Sequence, residues 1–322
     1  MVNRSLSTVV RVFVFATAAA TLALCSPPHA QDQSPLRFGM VTDIHYADID
    51  DAGSRHYRES ADRLAEFVRV MNQEQVDFVI ELGDFKDQDK EPNQERTLGY
   101  LRHIESVFAG FAGPRFHVLG NHDMDSISKQ QYLQTVRNMN WNGQGELAPH
   151  PFVEGLHSTF PRYSVSVDSG PPITLIVLDA NHRSDGSDYG QGNFAWDDTN
   201  LGVVGLQALD TTLAATVAAG HQAIVFVHQQ LDGEGTYYVK DAADARKLLE
   251  ASGCVLAVFQ GHRHEGGFSV INGIPYYTLR AVAEGAGNAF AIVTVDWDDT
   301  VSVAGFGRAE SKRFRATALR ER

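Results

Sequence analysis

The chain has 322 residues, 43% of them hydrophobic and 21% charged, with a formal net charge of −13 at pH 7. That composition is ordinary for a soluble globular protein with a real core and excludes a disordered or fibrous chain. So acidic a surface repels nucleic-acid backbones and anionic lipid, so no nucleic-acid polymer is an expected partner.

The first thirty residues read as a signal peptide, with Arg4 and Arg11 but no acidic residue. The stretch VFVFATAAATLALC, 12–25, is apolar but for two threonines and too short to span a bilayer, and Ala30 is a small residue before the polar Gln31. The expectation is export, to a periplasm or the medium, with no transmembrane span. LALC also resembles a lipoprotein box, but Leu24 is bulky where that box wants a small residue, so lipidation of Cys25 ranks second. The other cysteine, Cys254, lies in CVLAVF and reads as buried apolar filler, which leaves residues 31–322 no disulfide framework.

From Leu36 strands and helices alternate. LRFGMVT reads as a strand, 57–73 as a helix with Leu64, Phe67, Val68 and Met71 on one face, and VDFVIEL as a strand. A helix at 94–111 and the strand PRFHVLG follow, a β-α-β-α-β order that argues for largely parallel strands. Residues 121–158 and 181–200 are polar excursions, the first carrying a helix near 128–139. RYSVSVD, ITLIVLDA, AIVFVH and CVLAVFQ read as strands, with helices at 203–219 and 239–251. GFSVI, IPYYTLRA, AFAIVTVD and VSVAGFG make a strand-dense end. There is no repeat and no linker, so residues 31–307 are expected to form one domain. The basic residues 308–322 are expected to form a solvated tail.

Chemistry-bearing side chains stand just after the apolar runs. MVTDIHY delivers Asp43 and His45, ELGDFKD delivers Asp84 and Asp87, and VLGNHDMD delivers Asn121, His122 and Asp123. FVHQQ adds His228, and GHRH adds His262 and His264. Each alone has a bland reading: an aspartate after a strand is usually a turn or cap, and a lone histidine is usually a satisfied core or surface residue. His117, inside a strand, is read that way. Together they bring imidazole, carboxylate and carboxamide from five strand ends to one rim, where ligands of open α/β sheets gather. Such donors without a thiolate suit Mn, Fe or Zn, and they are too many for one four-coordinate ion. Two divalent ions sharing a carboxylate would activate a water and clamp both oxygens of an in-line displacement at phosphorus. The glycines before Asp84, Asn121 and His262 are expected to turn the chain sharply there.

The ordered set D-x-H, G-D-x-x-D, G-N-H-D, H and G-H-x-H resembles the calcineurin-like metallophosphoesterase family, over about 37–300. The resemblance implies an α/β fold, a four-layer αββα sandwich of two mixed sheets. It implies one ion on Asp43, His45 and His264, another on Asn121, His228 and His262, and Asp84 bridging them. His122 would protonate the leaving oxygen with Asp123 orienting it, and Asp87 would support the ligands from behind. DIHYADID with SRHYRESADRL is similar to the branch that hydrolyses ADP-ribose and CDP-alcohols with manganese, which often has Gln where His45 stands. The expected substrate is therefore a small phosphorylated, nucleotide-like molecule, cleaved at a phosphodiester or pyrophosphate bond by a hydroxide shared between the ions. Tyr46 and Arg263 are the foremost candidate contacts. Arg55, His56, Tyr189, Asn193, Phe194 and Trp196 are candidates for which packing or a solvated loop serves at least as well. Rival readings are a broad-range exported phosphomonoesterase, like an alkaline phosphatase, and a catalytically inactive metal-binding surface protein. His122 and Asp123 speak against the last, since a mere binder needs no acid for the leaving group.

Overall fold

In the computed structural model, residues 34–139, 163–167, 170–189 and 196–317 are described. Residues 1–30, Asn193 and Phe194 lie outside them, as does most of the excursion after residue 139. The stretch Gln33–Arg322 is one compact unit.

Two six-stranded sheets carry the fold. In the first, β1 (Leu36–Val41) pairs in parallel with β2 (Phe78–Glu81), and β2 with β3 (Arg115–His117). On its other side β1 meets β10 (Ala289–Val295) antiparallel, followed by β11 (Thr300–Gly307) and β12 (Lys312–Arg315). The second sheet runs β4 (Tyr163–Val167), β5 (Ile173–Val177), β6 (Gln222–Val227), β7 (Val255–Gln260), β9 (Ile274–Thr278), β8 (Gly267–Ile271), with β5, β6, β7 and β9 parallel. The parallel order expected from the alternation therefore holds for β1, β2 and β3 and for β5, β6, β7 and β9, and antiparallel strands complete both sheets.

Continuous apolar runs form strands buried on both faces, as in sheets covered by helices. Phe38, Phe78, Phe226 and Phe259 interlock between the sheets: Phe38 stacks on Phe78 at 4.8 Å and meets the other two edge-on at 5.8 and 5.9 Å. The stripe Leu64, Phe67, Val68, Met71 of α1 (Glu59–Glu74) packs with Leu101, Ile104 and Phe108 of α2 (Gln94–Phe108) on the outside of the first sheet. Leu209 and Leu213 of α4 (Gly202–Ala218) and Leu249 of α5 (Ala242–Ser252) cover the second. Helix, sheet, sheet, helix are thus the four layers. A further helix, α3 (Lys129–Met139), falls in the first excursion. No helix among the described residues is long and apolar enough to cross a membrane.

The expected basic tail is corrected. Residues 312–315 are strand β12, registered on β11 with Val301 opposite Phe314. Lys312 and Phe314 are half-buried while Arg313 and Arg315 are exposed, a period-two pattern in which the charges face water. Phe314 reaches Phe268 at 5.4 Å and joins the core between the sheets. An abundance of arginine disguised an edge strand, where charged side chains are commonly placed.

Candidate active site

The parallel strands of both sheets release their chains at one rim, and hydrogen bonds across it lock the loops together. The His45 amide donates to the Asp84 carbonyl at 2.8 Å, and the His262 amide to Asp43 Oδ2 at 3.0 Å. His228 Nδ1 meets the Leu82 carbonyl at 2.7 Å, tying the second sheet to the first. Asp43, His45, Asp84 and His262 all have left-handed backbones, with φ of 51°, 47°, 53° and 64°. Such conformations are uncommon in residues with a Cβ and persist where the surroundings over-determine them, commonly at functional sites.

Of the three glycines, only Gly83 has a positive φ, 97°. Gly120 and Gly261 are needed for their smallness instead: a Cβ on either would lie 2.2 Å from the Asp84 amide nitrogen or the Thr42 hydroxyl. The glycines act partly by close approach rather than by turning alone.

Asp43, His45 and His264 present ligand-type atoms within 4.8 Å of one another, and so do Asp84, His228 and His262. Asp84 Oδ2 joins the two groups, 3.6 Å from His45 Nε2 and 3.1 Å from His228 Nε2. The outer atoms of Asp43, His45 and His264 are engaged. His45 Nδ1 faces Asp87 Oδ2 at 3.2 Å, His264 Nδ1 faces Glu284 Oε1 at 2.8 Å, and Asp43 Oδ2 accepts from the Thr42 hydroxyl at 2.7 Å. The inner atoms are bare: Asp43 Oδ1, Asn121 Oδ1, His228 Nε2 and His262 Nε2 are buried without a hydrogen-bond partner among the described residues. With Nδ1 donating to a carbonyl, His228 in its neutral, metal-binding form would turn a lone pair toward a carboxylate 3.1 Å away. Acceptor facing acceptor in a buried space calls for a cation between them, a metal ion or, without one, a proton. In His45, His228 and His264 the outer nitrogen is held by an acceptor and the inner one turns into the cluster, the pattern of histidines aimed at metal. The donors fit two ions.

Burial alone would depress the His228 and His264 imidazoles, but Asp84 and Asp43 outweigh it and push each up to about 9. Burial and the nearby His228 take His262 down to about 3. Burial alone would raise Asp43 and Asp84, yet the surrounding histidines hold both carboxyls well below the usual range. This is a strongly negative pocket, suited to cations.

His122 opens onto the cavity, its amide donating to Asp84 Oδ1 at 2.8 Å. The partner that orients its ring is a correction: Asp125 Oδ2 lies 2.6 Å from Nδ1, and Asp123 points elsewhere. Asp123 accepts from the amides of Gly120, Asp84, Phe85 and Lys86, so it shapes the loops that present Asp84. His122–Met124 is a 3₁₀ turn, in which residues three apart eclipse, so Asp125 falls beside His122 and its immediate neighbour does not. That spacing was the available signal. Burial opposes it, but Asp87, Asp84 and Asp125 together push His122 up to about 10.

A cavity of about 590 Å³ lies over these groups. Arg55 and Trp196 line it; so do Tyr237, Arg280, Glu284 and Arg308, which the sequence reading did not single out. Tyr46 and Arg263 do not line it. The Tyr46 ring packs on His103 at 4.8 Å, and the Arg263 side chain is 49% exposed, 3.8 Å from Glu265. His56 pairs with Asp51 at 2.7 Å near the surface, and Tyr189 is a core residue bonded to the Asp198 carbonyl. His117 is buried between Glu81 and Glu105, away from the cavity.

The calcineurin-like phosphoesterase family model matches residues 36–266. The chain belongs to that family, and so is a phosphoric ester hydrolase. A manganese-dependent ADP-ribose/CDP-alcohol diphosphatase from Arabidopsis thaliana is 25% identical over 308 residues, spanning 88% of this chain and 98% of the relative. The rice (Oryza sativa subsp. japonica) protein of that name is 26% identical over 279 residues, 80% of this chain and 86% of its own. Among solved structures, a dimetal phosphatase from Danio rerio superposes with a TM-score of 0.70 at 20% identity, covering 88% of this chain and 99% of that one. That likeness supports the two-sheet fold.

Proposed function

We propose that this phosphoesterase hydrolyses phosphodiester or pyrophosphate bonds in small nucleotide-like molecules, with two divalent ions, manganese foremost. The observation that carries the two-ion reading is the ring of bare, buried donors at Asp43, Asn121, His228 and His262. Asp43, His45 and His264 would hold one ion, Asn121, His228 and His262 the other, and Asp84 would serve both. Ions bound there would lower the pKa of a water and draw charge from the phosphoryl oxygens. Asp87, Glu284 and the Leu82 carbonyl keep the imidazoles aimed. His122 donates its proton to the leaving oxygen, and Asp125 holds the ring by Nδ1, which leaves Nε2 for that transfer.

The substrate class is supported by the names of the curated relatives and by a cavity with aromatic and cationic walls. The deciding experiment is turnover of bis-p-nitrophenyl phosphate, p-nitrophenyl phosphate, ADP-ribose and CDP-alcohols after separate reconstitution with Mn, Fe and Zn. A strong preference for the monoester would replace this reading with that of a phosphomonoesterase. Export belongs to the same proposal, supported by the apolar stretch 12–25 ahead of the domain. N-terminal sequencing of the protein from its native cells should begin at Gln31, and a start at Met1 would refute it.

A further inference from the structure

The two ends of the cavity differ. At the His262 end stand Trp196 and Tyr237, ring centroids 5.8 and 5.7 Å from that imidazole and 5.6 Å from each other. The end near His264 and Glu284 is cationic, with Arg55, Arg280 and Arg308 on the wall. Arg55 is already neutralised, 3.4 Å from Asp87 and 3.6 Å from Glu284. The other two are less fully paired. Arg308 donates to the carbonyls of Ala281 and Gly287, and no described carboxylate lies within ion-pair distance of it. Arg280 meets only Glu310, at 3.4 Å, which Lys312 also approaches at 3.5 Å, and its Nε is buried without a hydrogen-bond partner among the described residues. Burial, with Arg63 and Arg280 nearby, lowers Arg308 below its ordinary value although Glu284 pulls the other way, so cations crowd this wall.

The chain is built to place Arg280. Gly266 has φ of 71°, and a Cβ there would stand 2.8 Å from Arg280 Cγ, so glycine leaves the passage for that stem. Arg280 follows β9 and Arg308 follows β11, both beyond the 36–266 stretch that carries the family match.

We propose that Arg280 and Arg308 form a subsite for a second phosphate group of the substrate. The enzyme would then take nucleoside diphosphates bearing a further group on the distal phosphate. A guanidinium fork matches the phosphate oxygens, and an aromatic pair accepts the face of any base. With the base on Trp196 and Tyr237 and the distal phosphate on the arginines, the phosphorus bonded to the nucleoside lies at the metal-ligating cluster. Water adds its oxygen to that phosphorus, and the bond from it to the bridging oxygen breaks. The bridging oxygen leaves with the distal phosphate and takes a proton, so the products are a nucleoside monophosphate and a phosphorylated distal group.

This inference rests on the pyrophosphate reading above, and its test keeps the two apart. Steady-state kinetics of the metal-loaded wild type, Arg280→Gln and Arg308→Gln would be measured with ADP-ribose and with bis-p-nitrophenyl phosphate, which has one phosphate. The expected result is a KM for ADP-ribose raised about tenfold or more in each variant, the loss of one charged hydrogen bond, with kcat little changed. Constants for the single-phosphate diester should stay within about twofold, which also reports an intact fold. Equal losses on both substrates, or no loss on ADP-ribose, overturn the subsite while the pyrophosphate reading stands. A wild type inactive on ADP-ribose and active on the diester overturns that reading and the subsite with it.

Discussion

Two sets of buried histidines in this molecule face opposite ways chemically. His117 has Nδ1 hydrogen-bonded to Glu81 at 2.8 Å and Nε2 at ion-pair distance, 3.2 Å, from Glu105, so the ring is a charged brace between two carboxylates. His228 has Nδ1 spent on the Leu82 carbonyl, and its Nε2 faces Asp84 Oδ2 at 3.1 Å in the group that includes His262. Both rings are buried beside carboxylates, and what separates a brace from a candidate ligand is whether the second nitrogen meets one carboxylate or a cluster of ligand-type atoms within 4.8 Å of one another. The difference also divides their consequences: removing a ligand should destroy turnover and spare the fold, and removing the brace should do the reverse.

The sharpest break of that contrast is Asp84→Asn. Asp84 Oδ2 faces both ligand groups, so the variant should lose bound manganese by elemental analysis and turnover by about 10³-fold, as forfeiting several kcal/mol of charge stabilisation requires. Retained metal with normal turnover would mean the two groups do not share this carboxylate. Next in size is His122→Ala, expected to cut turnover by about 10²-fold or more while metal content stays at the wild-type level. Metal lost in that variant would make His122 a ligand instead of a proton donor. Smaller again is Asp125→Asn, which keeps the ring in place but weakens the hold on Nδ1. A fall of about tenfold to a hundredfold is expected, as for other groups that only orient a functional one. If Asp123→Asn reduces turnover with no loss of stability and Asp125→Asn does nothing, the orienting role returns to Asp123.

The residues behind these predictions were legible to unequal degrees. Asp43, Asp84, Asn121, His228 and His262 could be read because each closes an apolar run, and parallel strands deliver their ends to one rim. Asp125 was passed over because a one-residue motif reading favours the neighbour, although a tight turn aligns residues three apart. Arg280, Glu284 and Arg308 carried no signal. They come from loops after β9 and β11, and their direction depends on how antiparallel strands register against a distant sheet. Arg263 misled for the opposite reason: it stands between His262 and His264, which turn into the cluster, while its own side chain is turned out to solvent. The strand β12 was hidden by composition, its alternation masked by cations.

The brace itself gives the prediction with the least effect on turnover. His117→Gln leaves two buried carboxylates without their counter-charge, and breaking a buried pair costs about 3–5 kcal/mol, so a fall in Tm is expected with kcat per folded molecule unchanged. Its pH dependence has a definite sign. Burial opposes protonation of His117, but Glu105 and Glu81 outweigh it and push the imidazole up to about 10 from an ordinary value of 6.5. The folded protein therefore binds a proton there that the unfolded chain releases above about 6.5, so the contribution is complete below that pH and fades as pH climbs toward 10. Denaturant unfolding of wild type and His117→Gln should show a stability gap that is wide near pH 7 and narrower near pH 9.5. The metal-facing histidines are common to both proteins and cancel from the difference. A gap constant across that range would mean His117 is neutral in the fold, and the contrast between brace and ligand would then have to rest on geometry alone.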